Sequence, residues 1–261
     1  MTKTTKLREL DSKIDLFRMR IKDADDFKVK DDVFDTRTLL NLYALAKKEI
    51  IVALGGPVST GKEANIFYAT GSEGGLAIKI YRISTSNFKA MQNYLLGDPR
   101  FGSIKGTKRA IVSAWTRKEF RNLSRAIESG VRVPRPVAMR ENILVMEFIG
   151  EEEVPAPQLR DVDLSYEEAK IAFDDIAGYI TLLYNKADLV HGDLSEFNIL
   201  YTESPVLIDM GQSVTLDHPM AETFLERDIN NIARYFKKKY DIGSPEAIWE
   251  RVRQFAHQNS G

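Results

Sequence analysis

The sequence predicts an α+β protein of two lobes with a cleft between them. Three observations carry this. Beyond residue 50 the chain runs through short apolar or alternating segments punctuated by glycine, the pattern of consecutive antiparallel strands. One long helical period interrupts them, and the second half is dominated by helical periods. The 261 residues, 43% hydrophobic and 29% charged, suffice for one large domain or two lobes and exclude disordered, collagen-like and coiled-coil chains. The formal net charge is -1, so nucleic-acid binding would need a local patch. The absence of cysteine excludes disulfide frameworks, thiolate chemistry and Cys-ligated zinc. With only His191, His218 and His257, a multi-histidine metal centre is not expected. No apolar signal core opens the chain and no run of eighteen apolar residues occurs, so a soluble, cytoplasmic protein is expected.

Residues 1–50 read as a helical extension. Leu7, Leu10, Ile14, Phe17 and Ile21 recur at steps of three and four, 22–32 is a charged linker, and Asp35 is placed to cap a helix carrying Leu39, Leu42, Tyr43 and Ala46. IIVALGG, ANIFYAT and GLAIKIY predict the first strands of an N-lobe spanning 51–147. Residues 84–110 are polar and glycine-interrupted, which predicts a long mobile loop with a short helix. A helix over 113–130 is expected to place Trp115, Phe120, Leu123 and Ile127 on one face and to end at Gly130. VRVPRPVAM and ENILVMEFIG resume strands. The C-lobe, 148–261, opens on a helix with a Ser165/Glu168 capping box, continues through loop–strand–turn–strand over 191–212, and is helical from 220 to 258.

The most specific chemistry lies in HGDLSEFNIL (191–200) followed by IDMG (208–211). Asp193 and Asn198 are five apart and Asp209 lies eleven further on. Transfer of a γ-phosphoryl group needs one carboxylate to orient the attacking hydroxyl. It also needs a carboxamide and a second carboxylate to hold divalent cations against the phosphates. Lys79, in the apolar strand LAIKIY, needs a partner if buried. Glu119 is the one acidic residue between Asp98 and Glu128, so a Lys79–Glu119 pair is expected to aim the lysine at the α- and β-phosphates. In LGGPVSTGKEA, Gly56-x4-Gly61-Lys62 approaches a Walker A loop, but Glu63 stands where Ser or Thr should ligate magnesium, and a strand rather than a helix follows. A strand–loop–strand cover over phosphates, with Ser59 and Thr60 near the oxygens, fits better.

Together STGKEA, AIKIY, KEFRNL, LVMEFIG, HGDLSEFNIL and IDMGQSV resemble the RIO family of atypical protein kinases, in particular its type-1 subfamily, over about residues 50–240. The resemblance implies a two-lobed protein-kinase-like fold, an N-lobe antiparallel sheet plus one helix and a reduced helical C-lobe, that takes ATP with Mg2+ or Mn2+. It implies Asp193 as the catalytic aspartate, Asn198 and Asp209 as metal ligands, and Lys79 and Glu119 as the ion pair. Ser59, Thr60, Gly61 and Lys62 would belong to the phosphate loop, Met146 would be the gatekeeper, and Glu147 and Ile149 would present backbone groups to adenine. The short chain around the domain is what an archaeal member would have.

Departures from ordinary protein kinases narrow the expectation. Gly192 replaces the arginine of His-Arg-Asp, Ser195 stands where many such kinases have lysine, DMG replaces DFG, and no Ala-Pro-Glu follows Gly211. These departures weaken the expectation of a docked peptide substrate, while the resemblance implies autophosphorylation and a role in small ribosomal subunit maturation. Residues 100–125 hold eight Lys or Arg (Arg100, Lys105, Lys108, Arg109, Arg117, Lys118, Arg121, Arg125) against Glu119, which suits pre-ribosomal RNA. No DNA or membrane partner is expected. The alternative reading is an ATPase-type assembly factor in which Asp209 accepts the phosphoryl group transiently.

Overall fold

A computed structural model of the chain describes residues 34–84, 86–96, 98, 100 and 106–258. The helix face and linker expected over 1–32, and residues 85, 97, 99 and 101–105 of the expected loop, lie outside the described residues. The described chain forms two units. The first takes residues up to 88, 106–116 and 136–155, and the second takes 89–105, 117–135 and 156 onward.

In the first unit Asp35 accepts a hydrogen bond from the Thr38 N–H (2.8 Å) and caps α1 (Thr36–Lys47) as its sequence predicts. Its carboxylate also pairs with Arg109. A five-stranded antiparallel sheet follows in the order β1-β2-β3-β5-β4. Its strands are β1 (Ala53–Thr60), β2 (Ala64–Gly71), β3 (Gly74–Tyr81), β4 (Pro136–Arg140) and β5 (Ile143–Glu147). Leu42 and Leu45 of α1 close a core with Phe67, Ile78, Ile80, Ile143 and Val145. Each such side chain contributes roughly 1.5–3 kcal/mol by leaving water. VRVPRP yields strand only from Pro136, because Pro134 and Pro136 bring no N–H to a ladder. A short ribbon, β6 (Gly150–Glu151) with β7 (Val154–Pro155), completes the unit.

Between the strands, α2 (Phe88–Leu96) is the short helix expected in 84–110, and α3 (Lys108–Glu128) begins five residues earlier than its sequence suggests. Its buried stripe is Ile111, Val112, Trp115, Lys118, Glu119, Asn122, Leu123 and Ala126. Ile127 is 38% exposed, a correction with a simple cause: at 100° per residue it lies about 120° round the helix from Trp115. Gly130, at φ +89°, ends the segment as expected.

The second unit packs three helices: α4 (Tyr166–Asn185), α5 (Ala221–Tyr240) and α6 (Pro245–Gln258). The Ser165/Glu168 capping box forms, with Ser165 N–H to Glu168 Oε2 at 2.8 Å and Glu168 N–H to Ser165 Oγ at 3.3 Å. Phe173 of α4 meets Phe236 of α5 edge to face, centroids 5.4 Å apart. Four two- or three-residue strands lie in two ribbons: β8 (Leu189–Val190) with β11 (Val214–Thr215), and β9 (Ile199–Tyr201) with β10 (Pro205–Leu207).

Asn142 ties α1 to the sheet. Its carboxamide, 2% exposed, donates to Thr38 Oγ (3.1 Å) and to the Tyr81 carbonyl (3.0 Å). Asn142→Ala leaves both groups buried without that donor and is expected to cost about 2–3 kcal/mol, read as a lower urea midpoint at unchanged slope. A loss below about 0.5 kcal/mol would show that the tie bears no weight.

Candidate active site

The second unit brings Asp193, Asn198 and Asp209 together. Asp193 sits in the loop between β8 and β9. The Ile208 N–H bonds the Asn198 carbonyl at 3.0 Å, so the β9–β10 pairing extends until Asn198 and Asp209 flank its end. The Asn198 amide donates to the Asp193 carbonyl (2.7 Å) and to Asp193 Oδ2 (3.2 Å), and Gln212 Nε2 reaches the same oxygen at 3.2 Å. With its nitrogen committed there, Asn198 keeps Oδ1 as the acceptor end of its carboxamide. Burial, reinforced by the Asp209 charge, raises the Asp193 carboxyl above its usual range. Asp209 is exposed, with φ +63°, a left-handed conformation that its surroundings must hold in place.

Three side chains on one stretch of α5 hold this loop. Asp228, 1% exposed, accepts from the N–H groups of Gly192 (2.7 Å) and Leu194 (2.8 Å), the residues on either side of Asp193. Arg227 donates to the Gly192 carbonyl and Asn231 to the Leu194 carbonyl (3.1 Å). Gly192 is required here. Its φ is +80°, and an added Cβ would meet the Gln212 carbonyl oxygen at 3.0 Å. Burial lifts the Asp228 carboxyl to about 7, although both N–H groups and Arg227 favour its ionised form. Asp228 was not among the residues the motif pointed to. The available signal was a carboxylate on the apolar stripe Leu225, Ile229, Ile232 and Phe236.

Helix α3 supplies a second hold. Lys118 and Asn122 are fully buried. The Lys118 ammonium donates to the carbonyls of Gly211 (2.8 Å) and Ser213, and the Asn122 amide to those of Met210 (2.8 Å) and Ser213 (3.0 Å). Burial pulls Lys118 down to about 7, against the opposing pull of Asp98. The expected basic surface is thereby reduced. Lys118 is interior, Arg100 pairs with Asp98 (2.6 Å) and Arg109 with Asp35, while Lys108, Arg117 and Arg121 are exposed.

The remaining expected residues lie on the first unit, except Glu119. Lys79 is 6% exposed with its ammonium 5.2 Å from the Tyr81 ring centroid, and Glu119 is 1% exposed. Ser59 and Thr60 end β1 and are exposed, as are Gly61 and Lys62. The Gly61 N–H closes the turn onto the Ala64 carbonyl (2.9 Å), and a strand follows, so the Walker A alternative lacks its helix. Met146 pairs with Ala77, and the Phe148 N–H bonds the Gly75 carbonyl at 3.1 Å.

A model of the RIO domain matches residues 65–246. The RIO-type serine/threonine-protein kinase Rio1 of Haloferax volcanii is 46% identical over 94% of this chain and 84% of its own length. The serine/threonine-protein kinase RIO1 of Caenorhabditis elegans is 40% identical over 91% of this chain, which spans about half (47%) of that longer relative. Among solved structures, the Chaetomium thermophilum Rio2 kinase–ADP/Mg2+–phosphoaspartate complex superposes with a TM-score of 0.62 at 24% identity, covering 82% of this chain and 66% of that one. That likeness establishes the two-lobed kinase-like α+β fold.

His191 gives this region a pH signature. Its ring, 2% exposed, bonds the Ile208 carbonyl through Nε2 (3.0 Å), and burial pushes its pKa down to about 4. The unfolded ring titrates near 6.5. The neutral ring's stabilising contribution is therefore complete above about 6.5 and is lost as pH falls through 4. Denaturant unfolding is expected to show up to about 3 kcal/mol lost across that window, and His191→Gln should flatten the slope. Equal slopes for both proteins would contradict the assignment.

Proposed function

This chain belongs to the RIO family, and on that premise we propose that it is a serine/threonine protein kinase that transfers the γ-phosphoryl group of Mg2+- or Mn2+-ATP, its own hydroxyls included. The observation that carries the reading is the Asp193–Asn198–Asp209 constellation with its Asp228 support. Asp193 orients the attacking hydroxyl and accepts its proton; its raised pKa suits a base that releases the proton again. Asn198 Oδ1 and the Asp209 carboxylate are hard oxygen donors of the type magnesium takes. Among the described residues no three His, Cys, Asp or Glu are grouped to hold a metal, so phosphate oxygens and water would complete the shell. When bound, the cation neutralises charge on the phosphates. Lys79, with Glu119 as its proposed partner, is assigned to the α- and β-phosphates, and Ser59, Thr60, Gly61 and Lys62 to the phosphate cover. Met146 borders the base, with Glu147 and Ile149 offering it backbone groups.

The biological setting we propose is maturation of the small ribosomal subunit in the cytoplasm, with Lys108, Arg117 and Arg121 as the basic residues available to RNA. No helix among the described residues is long and apolar enough to cross a membrane. A second reading rests on the exposure of Asp209 and on the phosphoaspartate of the Chaetomium Rio2 complex. In it an Asp209 oxygen attacks the γ-phosphorus with departure of ADP, and water then releases phosphate, so that the net reaction is ATP hydrolysis.

Radiolabelled γ-phosphate separates these roles. Asp193→Ala should retain nucleotide affinity and lose at least 100-fold in transfer, whereas Asp209→Ala should lose productive Mg-ATP binding. Label on serine or threonine supports the kinase reading; acid-stable phosphate absent from every hydroxyl, with hydroxylamine-labile label present, supports the second. Normal turnover by both variants would overturn the site assignment.

A further inference from the structure

The loop that follows Asp209 is held from the interior by a network that phosphoryl transfer alone does not call for. Three backbone carbonyls, those of Met210, Gly211 and Ser213, receive four hydrogen bonds from Lys118 and Asn122, one turn apart on α3. The network reaches further. Arg100 Nη2 donates to Asn122 Oδ1 (3.0 Å), which fixes the carboxamide with its nitrogen toward the loop. Arg100 is itself gripped by Asp98, through Nε to Oδ1 (2.9 Å) and Nη2 to Oδ2 (2.6 Å). The Asp98 side chain is wholly buried. A buried lysine and asparagine on an apolar stripe are costly unless satisfied, and the four hydrogen bonds to this loop help satisfy them. The residue they adjoin, Asp209, holds a left-handed backbone, which persists only where the surroundings fix it.

We propose that Lys118 and Asn122 are positioning residues that fix the segment 210–213 and thereby aim the Asp209 carboxylate at its cation, with Arg100 and Asp98 bracing Asn122. This rests on Asp209 being a metal ligand. Because Glu119 is the next residue on α3, a single helical turn would then carry both the expected partner of Lys79 and the hold on the metal loop.

The test measures γ-phosphate transfer against free Mg2+ at saturating ATP, for the full chain and for Lys118→Met, Asn122→Leu and Arg100→Gln. The half-activating Mg2+ concentration should rise about tenfold or more in the first two, as for lost partners of metal-ligating groups, and by a smaller factor in Arg100→Gln. Activity should return at high Mg2+, while the affinity for ADP measured without metal stays within twofold. Loss of packing alone would lower activity at every Mg2+ concentration and would not be rescued. Arg100 is partly exposed, so its variant reports even if a core variant fails to fold. Folded variants with the Mg2+ dependence of the parent chain would overturn the positioning role. An Asp209→Asn protein with the parent's Mg2+ dependence would instead remove the metal-ligand assignment, and this role with it.

Discussion

The carboxylate of Asp228 is the constraint on which the site depends. It lies inside the second unit, 1% exposed, and accepts both N–H groups that flank Asp193. Leu194, one of these two donors, is also fully buried, so the loop is pinned by a side chain in the core and by two hydrogen bonds of 2.7 and 2.8 Å. Removing one partner of such a pair strands two backbone donors and costs more than the net value of the bonds themselves. Burial raises the pKa of Asp228 while its donors oppose that rise, the balance expected of a carboxylate placed for geometry more than for stability.

Around that fixed point the chain works with very short elements. Ribbons of two or three residues turn the backbone so that Asp193, Asn198 and Asp209 converge, and neither ribbon could stand alone. Their rigidity is borrowed from helices on either side: Arg227, Asp228 and Asn231 of α5 hold the loop before β9, and Lys118 and Asn122 of α3 hold the segment after Asp209. The candidate site residues Asp193 and Asp209 are thus carried by loops, yet each loop is bonded to a helix.

The grouping of Asp193, Asn198 and Asp209 was legible because the three fall within one short stretch, 191–211, whose ribbons bring them together. The supporting residues were not, because Asp228, Lys118 and Asn122 are polar groups on amphipathic helices. A linear reading assigns such groups to solvent, and Lys118 was counted with the basic surface for that reason. The angular arithmetic of α3 gives the corrected view. The stripe through Ile111, Trp115, Lys118, Asn122 and Ala126 stays on one side, while Phe120 and Ile127 turn away from it. Caps at Asp35 and Ser165 and the stop at Gly130 were readable because local hydrogen-bonding groups decide them. The strand expected over VRVPRPVAM forms only from Pro136, because Pro134 and Pro136 bring no N–H to a ladder.

The central claim is that Asp228 sets the geometry of the catalytic loop, and amide hydrogen exchange at Gly192 and Leu194 tests it most directly. In the parent protein both amides should exchange slowly, since each is bonded to a buried carboxylate. In Asp228→Ala they should exchange far faster than the surrounding core of α4 and α5, with γ-phosphate transfer reduced at least 100-fold and nucleotide still bound. Protected amides, or transfer within a few-fold of the parent, in a folded Asp228→Ala protein would contradict the account.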